Sequence, residues 1–267
     1  MQFALNQMGF PADGLGRNAE LVADAGYDGI EPNLTADGPL WDDDSVAAFA
    51  DRLDELGLAV PAVATTLHWD RQLASDDDAT RAAGIDVGER MIELAAELGA
   101  GAVLVVPGVV GESEPYDEVY DRALNSVRAL ATVGAEHGVT VCVENVWNDF
   151  LLSPMEFAEF VDRASASGPV GAYFDVGNVR RFGHPEQWIR ILGDRIERVH
   201  AKDYRTDVDT MEAFTYPLEG DVDWPAVEAA LRDAGYDGWV TAEVPPYRTA
   251  AERMLPRVQS DLSYLFS

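Results

Sequence analysis

The chain has 267 residues and 48 acidic against 19 basic side chains, a formal charge of −29. Such a field repels phosphate backbones and anionic membrane surfaces, which excludes non-specific nucleic-acid binding and adhesion to such membranes. Self-repulsion on this scale is relieved when salt shortens the Debye length to about 3 Å, so the composition points to a salt-rich cytoplasm.

The N-terminal stretch MQFALNQMGF has neither a basic run nor a long apolar one, and Cys142 is the only cysteine, so a cytoplasmic protein without an internal disulfide is expected. Strands are predicted at 2–8, 27–32, 58–65, 102–107, 139–145, 170–176, 196–202 and 238–244. Between them, amphipathic spacing predicts helices near 15–25, 43–56, 78–98, 116–137, 153–166, 185–194, 223–235 and 247–265. Several end at a glycine, and the acid runs WDDDS (41–45) and SDDDA (75–79) sit where helices begin, which suits capping better than metal binding. Eight alternating units without a linker predict an α/β fold, a (β/α)8 TIM barrel forming one domain over residues 1–267. A doubly wound open sheet would carry a glycine-rich nucleotide loop after its first strand, and NQMGFPADGLG (6–16) has the wrong spacing for one.

In such a barrel the reactive side chains project from the C-terminal strand ends. In the second half these ends read Glu144 (VTVCVEN), Asp175 (GAYFDV), His200 (RVHAK) and Glu243 (WVTAEV). Side chains alternate along a strand, so Glu144 shares its face with Cys142 and Thr140, and Glu243 shares its face with Thr241 and Trp239. Both acids then point into the barrel mouth, where unpaired carboxylates are costly and a divalent cation removes that cost. Three carboxylates and one imidazole favour Mn²⁺ or Mg²⁺, with Co²⁺, Fe²⁺ or Zn²⁺ admitted by affinity order. Ordinary pairing of the four with arginines is the competing account.

The segments ENVWNDFLLSP (144–154), AYFDVGNVRRFGHPEQWIRILGDRIERVHAKDYR (172–205) and EGDVDWPAVEAALRDAGYDGWVTAEV (219–244) resemble the sugar phosphate isomerase/epimerase group of the xylose isomerase-like barrel superfamily. The resemblance spans essentially the whole chain and is strongest from 139 to 244. It implies one divalent metal held by Glu144, Asp175, His200 and Glu243, as in ketose 3-epimerases and hydroxypyruvate isomerases. It further implies Glu144 and Glu243 as the acid/base pair around an enediolate, a small sugar or sugar phosphate as substrate, and a homodimer or homotetramer. An inosose dehydratase-like lyase on the same site and a non-catalytic sugar-binding barrel are the alternatives. The abasic-site endonucleases of the superfamily need a histidine-rich zinc cluster that four histidines do not readily build.

Around the substrate, His68 (TTLHW) is expected to bond a sugar hydroxyl, and Trp69 and Trp147 to cover an apolar sugar face. Glu31 is expected to orient Lys202 or substrate, and Asn178 and Arg205 are placed with the substrate. The adjacent Arg180 and Arg181 are taken as solvated on an acidic surface, with receipt of an anion as the alternative. Lys202 is the only lysine in the chain; it has the parity of His200 and should lean into the pocket, held by Glu31 or Glu243. A structural ion pair with Asp203 or a neighbouring acid is the other account.

The charge makes a prediction of its own. The melting temperature should rise as KCl is raised from dilute buffer toward molar concentration, and a flat or falling trend would contradict the screening argument.

Overall fold

The computed structural model describes residues 1–9 and 14–267; residues 10–13, within the 6–16 stretch considered above, lie outside it. The barrel strands are β1 (Gln2–Asn6), β2 (Gly29–Glu31), β3 (Ala64–Thr65), β4 (Ala102–Val105), β5 (Thr140–Glu144), β6 (Val170–Asp175), β7 (Ile196–Ala201) and β8 (Trp239–Ala242). Seven form one parallel sheet in the order β2-β1-β8-β7-β6-β5-β4.

The third strand differs from the expected 58–65. Pro61 lacks an N–H, so the ladder is broken there and survives only as short stretches on either side. Ile30 N donates to Ala59 O at 3.0 Å on the β2 side, and Leu104 N donates to Val63 O at 2.9 Å on the β4 side. Together with Asn33–Leu34 pairing to β3, these few bonds close the barrel.

The helices are α1 (Leu15–Asp24), α2 (Asp43–Leu56), α3 (Asp78–Glu97), α4 (Tyr116–His137), α5 (Pro154–Ala164), α6 (Val176–Arg180), α7 (Pro185–Leu192), α8 (Trp224–Asp233) and α9 (Leu255–Leu265). The acid runs do cap helices: Asp42 accepts from Ser45 N ahead of α2, and Asp77 from Thr80 N ahead of α3. Gly57 and Gly138, at φ of 68° and 69°, end α2 and α4 in the left-handed conformation. The last helix starts at Leu255 rather than near 247, after a 3₁₀ turn at Ala251–Met254. The short α6 and a hairpin of Asp203–Tyr204 with Phe214–Thr215 were not expected; both lie in loops at the C-terminal face.

Alternation separates two cores. Val141, Val143, Phe174, Val199 and Val240 pack outward under the helices. Ala62, Ala64, Ala102, Leu104, Cys142 and Tyr173 form a small second cluster inside the barrel. Between β6 and β7 the register shifts by one residue at Ala172/Tyr173, skipping Glu197, after which Asp175 lies opposite His200. Gly171 makes room for that irregularity, because a Cβ there would meet the Glu197 side chain at 2.2 Å.

His68 does not reach the mouth. It lies on a 3₁₀ turn, Leu67–Trp69, that swings the ring inward until it is 1% exposed, and Nε2 bonds Gly84 O at 3.2 Å. Burial holds this histidine down at about 4, against the raising effect of the Gly84 carbonyl. A folded-state value below the unfolded one means that the unfolded chain takes up the proton first, so stability is full above about 6.5 and is lost as pH falls toward 4. The destabilisation caused by His68→Gln should therefore shrink by ~2 kcal/mol between pH 7 and pH 4.5 in denaturant titrations, at about 1.4 kcal/mol per pKa unit. A pH-independent difference would show that the ring charges freely in the fold.

Candidate active site

Four consecutive strands deliver one candidate ligand each to the C-terminal mouth: Glu144 ends β5, Asp175 ends β6, His200 is the penultimate residue of β7, and Glu243 follows β8. The ladder sets their heights, because His200 is in register with Asp175 on one side and Thr241 on the other. Glu243 N continues it by donating to Ala201 O at 3.2 Å. One ligand atom from each of the four lies within 4.8 Å of all the others. From His200 Nδ1, the distances are 3.5 Å to Glu144 Oε1, 3.7 Å to Glu243 Oε2 and 3.8 Å to Asp175 Oδ2. Ligand atoms about 2.1 Å from a shared ion lie roughly 3–4 Å apart, so the spacing suits one small divalent cation.

Two buried atoms point the same way. His200 Nδ1, fully buried, faces the centre of the group without a hydrogen-bond partner, and Asp175 Oδ2, also fully buried, meets only the Lys202 ammonium at 3.1 Å. A buried polar atom left without a partner costs about 1–3 kcal/mol, which a cation would remove. The donor set of three carboxylates and a neutral imidazole nitrogen is that of a hard-metal site.

The electrostatics follow from crowding. Burial, reinforced by Glu243 and Asp175, pushes Glu144 up to about 7. Burial also raises Asp175, with Lys202 opposing. Glu243 is the exception: burial works against its charge, yet Lys202 and His200 hold it below the usual range. Burial opposes the charge on His200 as well, but Glu31 and Glu243 outweigh it and raise the ring well above the ordinary value. An ion and a proton therefore compete for His200 Nδ1.

Behind the imidazole lies Glu31, fully buried, whose Oε1 accepts from His200 Nε2 at 2.8 Å and from Asn6 Nδ2 at 2.5 Å. The Tyr173 hydroxyl donates to the other oxygen, and its ring centre lies 4.3 Å from that of His200. Glu31 thus corrects the expectation that it would orient Lys202 or substrate. It instead fixes the imidazole with Nδ1 aimed at the ligand group, the usual office of a carboxylate behind a metal-binding histidine.

Lys202 enters the mouth as its parity required. Nζ bonds Glu243 Oε2, lies 3.1 Å from Asp175 Oδ2 and sits 4.7 Å above the Phe214 ring. Both carboxylates raise its pKa against the effect of burial.

Above this floor opens a cavity of about 730 Å³. Glu144, Glu243, Lys202, Trp69, Trp147 and Asn178 all line it. Trp147 is held by Nε1 donating to Asn178 O at 2.9 Å and by stacking near Phe214. Asn178 Nδ2 donates to Asn145 O, and Asn145 in turn clasps the Asp175 backbone through Nδ2 and Oδ1.

Arg205 does not line the cavity. The hairpin that follows Lys202 carries the chain outward, and the exposed guanidinium pairs with Asp207. Asn6 and Asn33, joined by a 2.9 Å hydrogen bond, and Thr66 line the cavity without having been singled out. Reading the end of β1 as closely as those of β5 to β8 would have found Asn6. Phe214 carried no local signal, because its position depends on a hairpin of two-residue strands.

Residues 19–260 match the family described as xylose isomerase-like TIM barrel. Among curated proteins, L-ribulose-5-phosphate 3-epimerase UlaE of Escherichia coli (strain K12) is 26% identical over 258 residues, covering 88% of this chain and 86% of its own. Among solved structures, the IOLI protein with a bound zinc atom superposes with a TM-score of 0.87 at 20% identity, covering 100% of this chain and 98% of that one. The structure of L-ribulose 3-epimerase superposes at 0.85 and 19%, covering 99% and 94%. At these identities the structural likenesses bear on the fold.

Glu31→Gln keeps the bulk and removes the charge behind His200. Metal affinity, titrated calorimetrically into stripped protein, should fall about 10- to 100-fold, and an unchanged affinity would show that Glu31 has no hold on the ligand.

Proposed function

The chain belongs to the xylose isomerase-like TIM barrel family, and from this we propose that it is a divalent-metal-dependent isomerase or epimerase of a small sugar. The observation that carries the proposal is the convergence of Glu144, Asp175, His200 and Glu243 on a shared space, with His200 Nδ1 buried and without a hydrogen-bond partner. These four residues would hold the cation. When bound there, it supplies Lewis-acid polarisation of a carbonyl and its adjacent hydroxyl, which makes removal of a carbon-bound proton feasible near neutral pH.

The protein's own groups do the remaining work. Glu144 and Glu243 reach the site from β5 and β8, with β6 and β7 between them, so they bracket a sugar lying over His200. One takes the proton and the other returns one, and return to the opposite face of the same carbon is epimerisation. Lys202 holds the Glu243 carboxylate in place and presents the rest of its ammonium to the cavity. Trp147, Phe214 and Val146 give the site an apolar wall. Of the alternative account of Lys202, a structural ion pair with Asp203 or a neighbouring acid, only the Asp203 form is absent: Asp203 accepts from Tyr204 N, Val222 N and Trp224 Nε1, and Lys202 pairs with Glu243 and Asp175.

Turnover of ketoses in D₂O tests the proposal. Deuterium should enter a carbon position during turnover by metal-loaded protein and should stop when a chelator strips the metal from the still-folded barrel. Lys202→Met should lower kcat/KM about 100-fold, equivalent to ~2.7 kcal/mol, and Lys202→Arg should not restore it. Full activity at zero metal content would sink the metal assignment, and turnover without label would indicate a hydride shift instead.

A further inference from the structure

We infer that the cavity takes an unphosphorylated, neutral ketose rather than a sugar phosphate; this rests on the isomerase reading above and specifies its substrate class. A phosphate group of about two negative charges is held by arginine, lysine or backbone N–H groups at a helix start. Barrels of this type commonly place such a site in the loops after the seventh and eighth strands.

Here the loop after β7, residues 202–223, carries seven carboxylates (Asp203, Asp207, Asp209, Glu212, Glu219, Asp221 and Asp223) against two cations, Lys202 and Arg205. Lys202 is engaged by Asp175 and Glu243, and Arg205 by Asp207 outside the cavity. Glu212 from the same loop instead brings a negative charge into the cavity lining. In the loop after β8, Arg248 is the one cationic lining residue among the described residues.

The other basic residues near the mouth are spent elsewhere. Arg180 Nε donates to Asp221 O at 2.7 Å, and Arg181 Nε to Asp209 Oδ1 at 3.0 Å, with its guanidinium 4.5 Å from the Trp147 ring centre. Neither lines the cavity. The helix start in the lining, at α6, is already capped by Asp175, which accepts from Asn178 N at 2.6 Å. Residues 10–13 read Phe-Pro-Ala-Asp and add no cation.

What the lining does offer suits a neutral polyol. Asn6, Asn33, Thr66 and Asn178 provide uncharged polar atoms. Trp69, Trp147 and Phe214 provide faces for carbon-bound hydrogens. The preference therefore runs against the phosphorylated substrate named for the curated E. coli relative.

The test compares matched pairs, L-ribulose with L-ribulose 5-phosphate and D-fructose with D-fructose 6-phosphate, on metal-loaded protein. Binding is followed by calorimetry and turnover by deuterium uptake, in dilute buffer and in 1 M KCl. The free ketose should be preferred at least 30-fold in kcat/KM, and the preference should persist in 1 M KCl, where the protein's overall field is screened but the cavity lining is unchanged. A phosphorylated sugar turned over more efficiently, or a preference that vanishes in salt, overturns the inference and leaves the isomerase reading intact. Selective binding of free ketoses with neither deuterium uptake nor a new sugar product from any of them overturns the isomerase reading and leaves the inference standing. Failure of every member of both pairs to bind overturns both.

Discussion

The constraint on which the site depends is the convergence of three carboxylates, Glu144, Asp175 and Glu243, in a space largely closed to water. Two like charges 4 Å apart repel by about 4 kcal/mol at the effective dielectric of a protein near its surface. The fold answers with two nitrogen donors set among them, the His200 imidazole below and the Lys202 ammonium above. It then spends a fourth carboxylate, Glu31, to hold His200, and satisfies that one with three donors, from Asn6, Tyr173 and His200 itself. A polar network thus crosses the barrel interior from β1 and β2 to β6 and β7. Hydrocarbon packing inside is reduced to a cluster of six residues, three of them alanines, and the main apolar core lies outside the strands under the helices.

The same crowding accounts for the lone lysine. Its stem passes over Gly177, where a Cβ would come within 2.6 Å of Lys202 Cγ, and its head fits between Asp175, Glu243 and the Phe214 ring. A point charge on a slender stem suits that slot, whereas a planar guanidinium is wider and commits to paired acceptors. Outside, where space is not limiting, arginine serves throughout: Arg52 bridges Glu20 and Glu55, and Arg122 reaches Glu114.

The surplus of acid shapes the substrate side as well. Surface arginines are drawn into pairs with nearby carboxylates, as Arg181 is with Asp209, so few cations remain to face the cavity. A negative field and an acid-rich loop at the mouth together disfavour an anionic substrate. The acid-rich composition thus also bears on chemistry a few ångströms from the candidate metal centre.

By itself the sequence determined the barrel, the four strand ends that carry Glu144, Asp175, His200 and Glu243, the side on which Glu144 and Glu243 stand, and the shared parity of Lys202 and His200. These are legible because strand alternation has a period of two and because glycine and aspartate mark helix ends through local geometry. Tertiary structure alone decided which of those side chains meet others far away in the chain. Glu31 and His200 are 169 residues apart, and no local pattern says that one will brace the other. His68 turned inward because a 3₁₀ turn replaced the end of a strand broken at Pro61, and Arg205 left the mouth because a hairpin intervened. Such partners are set by strand register and loop path, which depend on contacts distributed over the whole barrel rather than on the residues beside them.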